Sequence, residues 1–313
     1  MKSRTDLKDK FIGTFIGLSL GDALGAPYEG GFIERFLWKF FTKTPTGKMR
    51  WTDDTQMSID LAESILKKNT IDQNYLALKF ASSYKWSRGY GPAASKVLKS
   101  ISKGVSWKVA NRQTYKEGSL GNGGAMRSPI LALIYSQNHH LLAKEITKAT
   151  QITHAHPQAI EGAVLVGKAV SLALNNIDTI GIINMVLQYS NTEIFKKKAE
   201  LSLKWLEDNL DISPKEVSKN LGNGIKAADS CITAIYLGLR FRSKSFNELI
   251  KFTRKCGGDV DTLCSMSGSI WGAFNGFKNI PKELFDDLED GNRIKSLACN
   301  LYKTKIQISE KIN

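Results

Sequence analysis

The sequence predicts an all-α protein, a compact assembly of many helices with its functional loops at the helix starts. Three observations carry this reading: apolar residues recur at helical spacing through nearly every informative segment, strand-like alternation is scarce, and glycines step every four residues along two distant segments. The 313 residues are 42% hydrophobic and 24% charged, globular proportions with length enough to bury a core. Prolines number only seven and no solenoid-like period occurs, so one domain over residues 1–313 is expected.

Taken in order, Leu7 to Ala23 sets Phe11, Phe15 and Leu18 on one side of a helix and Gly13, Gly17 and Gly21 along another face, a row that permits close packing. Met57, Leu61, Ile65 and Leu66 make the core stripe of a second helix that opens at Thr52. Helices follow in "NYLALKFASSYKW", "SPILALIYS", "HPQAIEGAVLVGKAVSLAL" and "IKAADSCITAIYLGLR". The last of the series, "DTLCSMSGSIWGAFNGF", again steps its glycines, at Gly268, Gly272 and Gly276. Loops fall at Tyr28–Met49, Ser87–Pro92, Lys116–Gly124 and Asn220–Gly224, while Asn176–Leu221 and Phe277–Asn313 carry no motif.

Formal net charge is +14, which attracts anions such as nucleic acid or phosphate-bearing molecules. The lysines are spread along the chain without interleaved aromatics, so a solvated surface is favoured over a nucleic-acid partner. Cys231, Cys256, Cys264 and Cys299 form no C-x-x-C pair, a usage that fits reduced thiols and a cytoplasmic setting. The N-terminal apolar run is broken by glycines and Asp22, so neither a targeting signal nor a membrane partner is expected.

Chemistry concentrates at two places. "TDDT" puts Asp53 and Asp54 side by side at a helix start, where Thr and Asp also serve as ordinary caps. A cap needs one such residue, and adjacent carboxylates raise each other's energy unless a cation intervenes. "CGGDVDT" repeats the pattern far along the chain with Asp259, Asp261 and Thr262. Oxygen-only sets of this kind suit Mg²⁺, Mn²⁺ or Ca²⁺, and two helix starts meeting in space could hold two ions; the alternative is two unrelated caps. "GSLGNGGAMRSP" offers a glycine-rich turn ahead of a helix, either a phosphate nest or an ordinary turn. In "THAHP", His154 reads as a ligand-contacting or loop-fixing donor and His156 as structural, with zinc disfavoured.

Together "GDALGAPYEG", "WTDDTQM", "SRGYGP", "GSLGNGGAMRSP", "THAHP" and "GGDVDTLCSMSGSIWGAFNG" resemble the ADP-ribosylglycohydrolase family, of the dinitrogenase-reductase-activating glycohydrolase type, in that family's order from Gly17 to Gly276. The resemblance implies an all-helical domain with two Mg²⁺ (or Mn²⁺) ions that cleaves the glycosidic bond at C1″ of an ADP-ribosyl group on a modified protein or other target, an arginine linkage being favoured. It further implies Thr52, Asp53, Asp54, Asp259, Asp261 and Thr262 as metal ligands, Glu29 or Asp53 as the base, and Gly89 and Gly91 near the ribose. By the same resemblance Gly118, Ser119, Gly121, Asn122 and Gly123 hold the diphosphate and His154 contacts the distal ribose or phosphate. Val260 departs from the family, which often has Thr there; a side chain pointing away from the site is expected to make the change harmless. The loops Phe32–Met49 and Tyr84–Gly118 are expected to face the acceptor.

Overall fold

The computed structural model describes residues 4–29 and 42–310, so part of the expected acceptor-facing loop, residues 32–41, lies outside the described residues. The protein is all-helical: α-helices run from Arg4–Gly25 to Gly291–Glu310, and among the described residues β pairing is limited to isolated bridges such as Gly121 with Lys226. Local sequence explains many of the helix starts. Ser213 with Glu216 and Ser245 with Glu248 form capping boxes, and proline occupies the first turn of the helices Pro92–Ser102, Ser128–Tyr135, Pro157–Leu174 and Pro214–Leu221. Pro157–Leu174 has the length and apolar character of a membrane span, but most of it is buried by its neighbours, as a core helix should be.

The two glycine rows pack against each other. A Cβ built on Gly17 would lie 2.3 Å from the Gly268 carbonyl oxygen, and one on Gly268 would lie 2.3 Å from that of Gly17. Gly272 meets the Gly13 carbonyl at 2.0 Å by the same construction, and Gly21 meets that of Cys264 at 2.1 Å. Residue numbers rise along Arg4–Gly25 as they fall along Val260–Asn275, so the helices are antiparallel and touch through bare backbone. At the end of this seam a Cβ on Gly25 would lie 2.6 Å from the Asp261 Cα. The seam therefore delivers the start of the Val260 helix to the end of the first helix, four residues from Glu29. Phe11, Phe15, Ile16, Leu18 and Leu20 fill the flanks of the first helix and are fully buried.

The C-terminal segment, silent in the sequence, grips the chain just before the first acidic motif. Glu289 accepts a bidentate pair from Arg88, both at 2.7 Å, and the Arg88 guanidinium lies 3.5 Å above the Trp51 ring centroid. The Trp51 Nε1–H donates to the Glu289 carbonyl and the Glu289 N–H to the Met49 carbonyl. This clamp fixes the approach of residues 49–51 to Thr52.

Candidate functional site

At the first acidic motif the cap is supplied by Thr52, whose Oγ1 accepts from the Asp54 N–H at 3.4 Å, so the helix Asp53–Lys68 does not need either carboxylate for that purpose. Asp22, buried in the first helix, organises the turn. Its carboxylate accepts from the Thr52 N–H and Oγ1–H and from the Thr55 N–H and Oγ1–H, at 2.6 to 3.1 Å. Burial raises the Asp22 carboxyl above its ordinary range and these hydrogen bonds oppose the rise. Asp22 belongs to "GDALGAPYEG", but nothing in that stretch shows its role, because its partners are 30 and 33 residues away.

The second motif is held by turns that require glycine. Gly257 and Gly258 have φ of +68° and +74°, and the Asp259 N–H donates to the Asn223 carbonyl at 2.8 Å. Asp259 then sits at the start of the Val260–Asn275 helix, and the Asp261 carboxylate accepts from the Thr262 N–H. Val260 is fully buried in the hydrophobic core and does not line the cavity, as the sequence reading expected of this departure.

The two motifs meet. Glu29, Asp53, Asp54, Asp259, Asp261 and Thr262 all line one cavity of about 570 Å³, a size within the range of about 300–1,000 Å³ usual for small-molecule sites. The Thr262 Oγ1–H donates to Asp54 Oδ1 at 3.4 Å, bridging residues 208 positions apart. One carboxylate oxygen each from Glu29, Asp259 and Asp261 lies within 4.8 Å of the others. Thr52 stands behind this group: it is not among the lining residues, its hydroxyl donates to Asp22 and accepts from Asp54, and one lone pair is left over.

Electrostatics mark the site as one built for positive charge. Burial, followed by repulsion from Asp22 and Glu29, holds the Asp53 carboxyl well above the usual carboxylate range. Asp54 is raised by burial and by Asp22, Asp53 and Asp259, and Asp261 by burial, Glu29 and Asp259. Asp54 Oδ2 is buried without a hydrogen bond of ordinary geometry, with the Ser265 hydroxyl near enough to oppose the rise at this carboxyl. An all-oxygen donor set rich in buried carboxylates fits hard divalent cations. The H-x-H alternative does not assemble. His156 Nδ1 accepts from the Gln158 N–H and caps the helix Pro157–Leu174, while His139 packs near Tyr189.

The remainder of the cavity is lined by the residues expected to hold the rest of a nucleotide-like ligand. Gly89, at φ +81°, and Gly91 flank a buried Tyr90 between the turn Trp86–Arg88 and the helix Pro92–Ser102. Gly118, Ser119, Gly121, Asn122 and Gly123 follow, together with His154. Gly118 has φ +90°, and a Cβ there would lie 2.6 Å from the His156 nitrogen. Gly121 and Gly123 lie against the His154 ring, where added Cβ atoms would come to 3.0 and 2.5 Å.

Asn122 lines the cavity with the rest of the loop, and its side chain has a further set of partners. Its side-chain Nδ2 donates to Asp259 Oδ2 at 2.5 Å and to Ser230 Oγ at 2.9 Å, so the amide braces the second acidic motif while the backbone belongs to the loop. Tyr115, Ile225 and Lys226 also line the cavity and were not singled out from sequence: Tyr115 lies in the loop expected to face the acceptor, and Ile225 and Lys226 precede a helix whose apolar pattern carries no sign of a site.

Comparisons with known proteins agree with this architecture. The family model for ADP-ribosylglycohydrolase matches residues 3–309. A protein of Archaeoglobus fulgidus described as uncharacterized is 29% identical over 96% of this chain and 99% of its own length. The ADP-ribosylhydrolase ARH3 of Mus musculus is 30% identical over 94% of this chain and 91% of its own, and that of Homo sapiens 31% identical over 94% and 93%. Among solved structures, an ADP-ribosylglycohydrolase-related protein complex matches with a TM-score of 0.71 over 96% of this chain and 99% of that one, at 23% identity, a likeness of fold alone. With the site's geometry and a family match from end to end of the described helices, the chain belongs to the ADP-ribosylglycohydrolase family and is a glycosidase-type hydrolase.

Proposed function

We propose that the protein hydrolyses the glycosidic bond at C1″ of ADP-ribosyl groups, releasing ADP-ribose from a modified target in a divalent-metal-dependent reaction. The observation that carries this reading is the convergence of both acidic helix starts, Glu29 and the glycine-rich loop on one cavity. Asp53, Asp54, Asp259, Asp261 and Thr262, with Thr52 behind them, would hold two Mg²⁺ or Mn²⁺ ions. When bound, such ions fix ribose hydroxyls and make water a better nucleophile at neutral pH.

The chain's own groups do the rest. In the Gly118–Gly123 loop the N–H groups of Gly118, Gly121 and Asn122 already donate to the Tyr115 carbonyl, Ser119 Oγ and the Ile225 carbonyl, so those of Ser119, Leu120 and Gly123 bind the diphosphate, and the binding energy of that remote part positions the anomeric carbon. The oxygen of a water bonds to C1″ as the bond to the acceptor breaks through an oxocarbenium-like state; the bonding pair leaves with the acceptor, and the Glu29 carboxylate takes the water's proton, which passes on to the departing acceptor so that ADP-ribose and the free acceptor are released. The half-buried position of Glu29 beside Asp259 and Asp261 supports that role. The aromatic ring of Tyr115 at the cavity offers a stacking surface for the base. Four cysteines without a disulfide support a reducing, cytoplasmic setting.

The test is release of free ADP-ribose from arginine-, serine- and nucleic-acid-linked substrates, with Mg²⁺, with Mn²⁺ and with chelator. Metal-dependent release from one linkage is the expected result, the arginine arm being the one favoured by the sequence reading. No release from any linkage, with or without metal, would overturn the assignment. A Glu29→Gln protein should retain ADP-ribose affinity within about threefold while kcat falls by about 100-fold or more, the range of a lost general base. Parallel loss of both would move Glu29 from proton transfer to binding.

A further inference from the structure

Behind His154 lies a buried polar chain that nothing in the proposed reaction uses directly. Arg127 and Thr153 are each only 1% exposed. The Arg127 guanidinium donates through Nη2 to Thr153 Oγ1 at 2.9 Å and to the Ala149 carbonyl at 3.0 Å, and through Nη1 to the Gly123 carbonyl in the glycine-rich loop. Thr153 Oγ1 in turn lies 2.8 Å from His154 Nδ1.

The direction of that last hydrogen bond follows from its neighbour. A guanidinium has donors only, so Thr153 Oγ1 must accept from Arg127. The hydroxyl's single proton needs an acceptor, because a buried O–H left unpaired costs about 1–3 kcal/mol. His154 Nδ1 is the group in reach. It can accept only if it carries no proton, which puts the ring proton of neutral histidine on Nε2. Burial, with Arg127 nearby, lowers the His154 pKa to about 3, so the ring is neutral at physiological pH. Nε2 lies beside Gly121 and Gly123, whose added Cβ atoms would come to 3.0 and 2.9 Å from it, and the ring lines the cavity.

We infer that Arg127 and Thr153 are positioning residues: their hydrogen-bond relay locks His154 in the Nε2–H tautomer and aims a neutral donor at an oxygen of the ligand held by the glycine-rich loop. The ligand's identity rests on the ADP-ribose reading; the tautomer does not. Arg127 performs two tasks with one side chain, since Nη1 holds the loop and Nη2 orders the donor beneath it. A diphosphate or ribose oxygen thus meets backbone and side-chain donors whose directions are set before it arrives, and binding costs little ordering.

The experiment is a long-range ¹H–¹⁵N correlation spectrum of the full chain labelled at histidine, recorded without ligand. Only four histidines contribute, and a His154→Gln sample assigns the signal of interest. The expected pattern for His154 is a protonated Nε2 and a bare Nδ1. Thr153→Val should release that tautomer into a mixture and weaken ADP-ribose binding by about tenfold, the worth of one well-made hydrogen bond. Thr153→Ser should restore both. A protonated Nδ1 in the parent overturns the relay without recourse to any variant. An unchanged tautomer in folded Thr153→Val, or parental ADP-ribose affinity once the tautomer is lost, also overturns it. If the parent shows the Nε2–H form but binds no ADP-ribose by calorimetry, the relay stands and the functional reading falls.

Discussion

Asp259→Asn and Asp53→Asn proteins are each expected to lose divalent-metal affinity and turnover by more than about 100-fold, beyond what removing an outer partner of a metal ligand costs. The same substitutions should raise the melting temperature measured in chelator. Each removes one member of a set of buried carboxylates that now repel one another, with Asp53 raised by Asp22 and Glu29 and Asp54 by Asp53 and Asp259. In the parent, Mg²⁺ or Mn²⁺ at a hundredfold excess over its Kd should stabilise the fold by about 2.7 kcal/mol, an increment the variants lack. Calorimetric metal titration and thermal melts with and without chelator read both effects. If either variant binds metal and turns over substrate like the parent, the cation site is not where these residues place it.

Gly17→Leu should cost about 3 kcal/mol or more, because the new side chain meets a backbone carbonyl that cannot rotate aside as a side chain would. Gly17→Ala is the milder form of the test, its Cβ falling 2.3 Å from the Gly268 oxygen. At roughly 2–4 °C per kcal/mol, the leucine variant should melt about 6–12 °C lower where it folds at all. Gly224→Ala is the control, since its Cβ would meet only ordinary contacts, 3.6 Å from the Asp229 Cβ. A Gly17→Ala protein with the parent's melting temperature would mean that the two helices do not touch through their backbones. Loss of activity is expected to track loss of fold here, unlike the aspartate variants.

Much of this was legible because it is periodic or repeated. The helical spacing of Phe11, Phe15 and Leu18, the four-residue steps of both glycine rows and the paired acidic motifs are all patterns a linear chain displays. What could not be read is pairwise and distant. Asp22 gains its role only when Thr52 and Thr55 fold onto it, and the Asn122 amide serves Asp259 across 137 positions. Asn223 sits in a loop recognised as such, yet its carbonyl supports the Gly258–Asp259 turn through a backbone contact that no side-chain pattern encodes. Arg127 fell inside a recognised motif, but its buried placement between the loop and Thr153 is a property of packing alone.

The clamp between Glu289 and the Trp51–Arg88 pair has a consequence for the order in which the protein is made. "WTDDT" leaves the ribosome long before the residues that fix its approach, since Glu289 follows Trp51 by 238 positions. The glycine seam imposes the same delay, since Gly13 must wait for Gly272. Closure of both is a high-contact-order event, slow relative to local helix formation. Until then the nascent chain carries its aspartates on unjoined helices, so the complete site assembles only after both acidic motifs and Glu289 have been made.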